Sequence, residues 1–122
     1  MATNTQIQGV IDPVQQALAA NQKQVTANAG LNAGMNMGAN ATKALNAANT
    51  AQNKYALAAN RVANIGNKNA NAVRKAKLNI AQKHFATAAI DSAANNPVKA
   101  ATHARMGVSA LKNYIGANNA NR

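Results

Sequence analysis

The residues that could do chemistry in this chain are few, and most of them are cations. Arg74, Lys75 and Lys77 fall within four positions, and Lys68 and Lys83 extend the group on either side. The chain has 13 Lys and Arg against two acids, Asp12 and Asp91, and no Glu, for a net charge of +11. Cations without balancing acids suit phosphates or another anionic surface. The plain alternative is a solvated helix face, the usual fate of a short charge run. Tyr55, Phe85 and Tyr114 are scattered and Trp is absent, so no platform for stacking single-stranded bases is apparent. Contact with nucleic acid would be directed at the backbone and independent of sequence.

The rest of the inventory does not support catalysis. Asp12 precedes Pro13 and reads as a helix cap, and Asp91 stands alone, so no carboxylate pair exists for acid–base work. His84 and His103 are far apart in sequence, with no Glu or Cys and no nearby Asp at a metal-ligand spacing. The absence of Cys excludes disulfides and thiolate metal sites. The expectation is a non-enzymatic chain with no cofactor, metal or small-molecule substrate.

The elements that carry these residues are helical. Ala and Asn supply 53 of the 122 residues, and no strand pattern appears. A stripe of small and apolar residues runs with a period of about 3.5 through Ala27, Gly30, Gly34, Met37, Ala41, Ala44, Ala48, Ala51, Tyr55, Ala58, Val62 and Ile65. Most Asn residues of the same stretch lie roughly opposite it. The spacing predicts a seam for close helix packing with a carboxamide-lined back. Gly30, Gly34 and Gly38 read either as a flexible break or as a close-contact face. The stripe crosses Gly30 and Gly34 without losing phase, which favours continuity.

Four segments are expected: a polar arm over 1–12, a long helical region over 13–94 with possible breaks near 30–38 and 66–71, a helix over 97–116, and a loose tail over 117–122. Asp12-Pro13 and Asn96-Pro97 are helix starts, and Gly116 is a stop. The last helix carries one apolar face: Ala101, Ala104, Val108, Leu111 and Ile115.

Only 26 side chains are apolar and larger than Ala. Low bulk hydrophobicity with high net charge resembles a disordered composition, while Ala favours helix. The expected fold is all-α, with long Ala/Asn-rich amphipathic helices in a hairpin or extended assembly. Such a chain is expected to fold with copies of itself or on a larger partner, not as a stable globular monomer. No apolar run approaches the roughly 20 residues of a membrane span, so direct membrane insertion is not expected. No Sec-type signal is visible, so synthesis in a cytoplasm is the expectation, with later delivery elsewhere by a non-secretory route left open. An ice-binding face is not expected, because the Thr residues do not repeat regularly.

The segment QQALAANQKQVTANAGLNAGMNMGANATKALNAANTAQNKYALAANRVANIGNKNANAVRKAK, residues 15–77, resembles virion proteins of tailed phages. Within these it is most similar to the smallest of the internal virion, or ejection, proteins of short-tailed bacteriophages. The resemblance implies packing inside the capsid near the portal, release with the genome, and assembly into a conduit across the host envelope. It implies homo-oligomers or larger virion proteins as partners, with possible non-specific DNA contact, and no catalytic residues. A genome-condensing DNA-binding protein is the main alternative. A third is a shell or tail protein that touches no DNA.

Overall fold

The computed structural model describes residues 1–69 and 71–120. It is all-α, with α1 (Asn4–Asn32), α2 (Met37–Asn67), α3 (Ala72–Ala93) and α4 (Pro97–Ala120). Short connections turn each helix back along its predecessor, and α4 returns to pack on α1. Two hairpins thus close on each other as a four-helix bundle, where the sequence led to a single hairpin within the chain. No helix among the described residues is long and apolar enough to cross a membrane.

The first correction concerns residues 1–12, which are not an arm. Thr3 is the N-cap of α1: its Oγ1 accepts from the Gln6 N–H at 3.2 Å, and Gln6 Oε1 accepts from the Thr3 N–H at 2.9 Å. This is a capping box. Ile7, Val10, Ile11 and Val14 then bury their side chains in the core. Each such burial favours folding by about 1.5–3 kcal/mol. Together they outweigh the roughly 3 kcal/mol cost of Pro13 inside the helix. Asp12 caps nothing; it lies exposed and accepts from Gln8 Nε2 at 2.9 Å.

Pro13 has no N–H for the carbonyl of Gly9, one turn earlier. Arg61 of α2 supplies the missing donor, with its Nη1 3.0 Å from Gly9 O. Arg61→Ala should therefore cost about 1 kcal/mol in a denaturant melt. In a Pro13→Ala background the same change should cost less, because alanine at that position restores the helical N–H. Equal costs in both backgrounds would show that Arg61 does not stand in for the lost bond.

The second correction concerns the stripe, which is broken at the first turn. Gly34 (φ 69°) and Asn36 (φ 41°) take left-handed backbone conformations, which Gly adopts freely and Asn tolerates. Asn40 Nδ2 donates to Met35 O at 2.6 Å and fastens the turn. Gly34, Met37 and Ala41 are consequently exposed. Gly30 is half-buried, and a Cβ there would come within 2.9 Å of Asn40 Cγ, so it permits close approach of the hairpin's arms. Ala27 and then Ala44, Ala48, Ala51, Tyr55, Ala58 and Val62 are buried, with Ile65 packed at the core's edge. Their partners are the chain's own helices.

In α3 the inner face is Leu78, Ala81, Phe85, Ala88, Ala89 and Ser92, while Val73, Ile80 and Ile90 point outward. Phe85 meets Gly107 of α4, where a Cβ would lie 2.8 Å from its Cζ. The buried face of α4 includes Ala101, Ala104 and Leu111, but also Ala100, Gly107, Tyr114 and Asn118. Val108 and Ile115 sit half-buried beside it. Gly116 does not end the helix. Tyr114 and Asn118 hold hydrogen bonds across the bundle, and α4 continues to Ala120, so residues 117–120 are not a loose tail. Residues 121 and 122 of the expected tail, and residue 70 of the expected 66–71 break, lie outside the described residues.

Candidate functional site

Of the five expected phosphate contacts, Arg74 is in the wrong place for that task. Its side chain is buried, with Nη1 donating to Asn118 Oδ1 at 2.7 Å and its guanidinium 4.7 Å from the Tyr114 ring centroid. Cation–π and hydrogen-bond contacts make it a cross-link between α3 and α4. Lys68, Lys77 and Lys83 are exposed and Lys75 is half-buried. At about 100° per residue, Lys75, Lys77 and Lys83 diverge around α3. They do not converge on one anion. Other exposed cations are spread over the remaining helices, Lys23, Lys43, Lys99, Arg105 and Lys112 among them. The surface is diffusely basic, without a focused pocket for one phosphate.

Two clusters of buried polar groups organise the bundle's ends. At one end, the Tyr114 hydroxyl accepts from Asn69 Nδ2 at 2.8 Å and from the Ala2 N–H at 3.2 Å. Asn118 Nδ2 donates to Ala2 O and Asn4 Oδ1, both at 3.0 Å. Asn4 Nδ2 reaches Asn119 Oδ1 at 2.9 Å. Toward the other end, Asn21 and Gln24 lie fully inside. Asn21 Oδ1 accepts from the Tyr55 hydroxyl at 2.6 Å, while its Nδ2 donates to Ser92 Oγ at 3.0 Å and Gln24 Oε1 at 3.1 Å. Gln24 Nε2 donates to Ser92 O at 3.1 Å and Asn95 Oδ1 at 2.9 Å. Buried amides are tolerated because their bonds are made within the cluster.

The sequence carried a signal for this second cluster. Val14, Ala17, Asn21 and Gln24 share one helix face, so the inner stripe of α1 continues in polar residues.

Burial pushes the Tyr55 phenol above the ordinary tyrosine range, with the Arg105 charge acting in the opposite direction. A folded-state value above the unfolded one means the stabilisation is complete below about pH 10 and is lost as pH rises beyond it. Thermal melts from neutral to alkaline pH should show that decline, and Tyr55→Phe should flatten it. An unchanged alkaline slope in the variant would assign the decline to other groups.

A groove of about 610 Å³ runs between α1 and α2 on the bundle's outside. Buried Ala20, Ala27 and Ala47 form its floor, and exposed Gln16, Lys23, Lys43 and Thr50 form its walls. Its lining offers apolar contact, amide or hydroxyl hydrogen bonding and two cations, but no nucleophile–base pair. The two histidines, distant in sequence, do meet: α3 and α4 bring the Nδ1 atoms of His84 and His103 to 3.4 Å. Comparison of the chain with protein-family models, curated proteins and solved structures finds no match to any of the three.

Proposed function

We propose that this chain is a non-enzymatic structural component of a phage virion, an internal or ejected core protein that packs near the portal or tail beside passing DNA. The observation that carries the reading is the character of the bundle's exterior. Most Asn carboxamides and the dispersed cations share the outward faces with scattered apolar residues such as Leu45, Ile80 and Ile90, while the buried core is built largely from Ala. Such a surface attracts a polyanion in every direction without gripping it at one place. The composition of residues 15–77 supports the phage assignment.

The geometry changes how assembly must work. Ala48, Ala51 and Ala58 pack within the chain, so enlarging them would strain the bundle itself. Contacts with larger virion proteins, or with further copies, fall to outer surfaces such as the α1–α2 groove.

Mass spectrometry of purified virions before and after genome release tests the reading. Presence in full particles and loss from emptied ones is the expected result. Retention in empty shells would replace ejection with a fixed structural role, and absence from both would overturn the phage assignment.

The net charge of +11 favours one second reading, sequence-independent DNA condensation. It requires binding whose logarithm falls steeply and linearly with log salt, and that weakens in small steps as individual cations are removed. A virion component held by proteins keeps its place in particles when such cations are neutralised singly.

A further inference from the structure

We propose that His84 and His103 form a two-histidine clamp for a divalent transition metal, with Zn²⁺ the ion whose geometry fits. The pair lies across the α3–α4 contact, with ring centroids 5.6 Å apart and planes inclined by 31°. The Nδ1 atoms face each other at 3.4 Å. That separation exceeds the 2.7–3.2 Å usual for protein N–H hydrogen bonds. It also requires one ring to carry its proton on Nδ1 while the other keeps a lone pair there. A tetrahedral zinc ion offers a different account. With Zn–N bonds of about 2.0–2.1 Å, two ligands on a tetrahedron are ~3.3–3.4 Å apart. Both rings can then direct Nδ1 lone pairs at the ion and keep the proton on Nε2, facing outward from the metal.

The surroundings define what kind of site this is. Both residues are half-buried, so solvent can reach the ion and supply its remaining ligands. No third His, Cys, Asp or Glu gathers with them among the described residues. The chain's net charge of +11 opposes a further dication. The site is therefore open and exchangeable, and weaker than a four-ligand structural zinc site. Its two ligands are 19 positions apart and come together only when α3 and α4 pack. Metal binding thus selects the folded hairpin and raises its stability by mass action. This inference is independent of the virion reading.

The test uses the full chain without an affinity tag. Calorimetric titration with Zn²⁺ should show one saturable equivalent, and the melting temperature should rise with Zn²⁺ and return on chelation. Co²⁺, used as a visible probe, should give the intense absorption of a tetrahedral ion. His84→Ala and His103→Ala should each abolish saturable binding while circular dichroism remains helical. If either alanine variant unfolds, His84→Asn and His103→Asn keep a polar group at the same position and serve instead. No saturable Zn²⁺ binding to the folded chain would overturn the proposal. So would binding that survives both substitutions, or a Co²⁺ spectrum of octahedral type.

Discussion

Phe85→Ala is expected to destabilise the bundle by about 3–5 kcal/mol, the range of the largest single truncations in a protein core. Phe85 is fully buried, and its ring lies against Gly107 on the neighbouring helix. The two residues form a knob and a matching gap. Gly107→Ala alone should therefore also destabilise, by about 1–3 kcal/mol, because the new methyl meets the ring. With Phe85 already truncated, the same Gly107→Ala change should reverse sign. The methyl then fills space, and Ala exceeds Gly in helix propensity by about 1 kcal/mol. Urea melts of the four chains give the coupling directly. Additive effects would show that α3 and α4 do not depend on this close approach.

The second large effect is expected at Asn21. Truncation to Ala deprives the Tyr55 hydroxyl of its acceptor and Ser92 Oγ of its donor, both in the interior. Each orphaned group costs about 1–3 kcal/mol, so Asn21→Ala should rank near the core truncations. Removing the partner as well should recover part of the loss. Tyr55→Phe in the Asn21→Leu background is expected to be far less damaging than Tyr55→Phe alone, since no bond remains to break. Equal damage in the two backgrounds would show that the Tyr55 hydroxyl and Asn21 are not coupled.

The all-α architecture is legible from the sequence because Ala-rich periodicity needs no long-range information. Other features depend on partners that a local reading does not contain. Thr3 and Gln6 form a cap at a distance of three residues, but Asp12-Pro13 offers a stronger local start signal. What decides between them is burial of Ile7, Val10 and Ile11 by helices far along the chain. The stripe's phase through Gly30 and Gly34 suggests continuity because periodicity alone does not register a left-handed turn. On α3, attention to bulky residues leads to Val73, Ile80 and Ile90, all exposed, while the small residues beside Phe85 and Leu78 face the core. Arg74 looks like its neighbours Lys75 and Lys77. Only the proximity of Tyr114 and Asn118 separates its task from theirs. The pairing of His84 with His103 is invisible for the same reason, since it exists only once α3 and α4 lie side by side.

The fasteners at the two ends of the bundle are mostly carboxamides and hydroxyls, groups that carry no net charge. Mobile ions have little in them to screen. The cations lie chiefly on the outside, where screening is strongest. Ionic strength therefore acts on this protein chiefly as a dial for adhesion, and on the fold by relieving repulsion among the surface cations. At high ionic strength the surface is quiet, and in dilute salt it becomes attractive to polyanions.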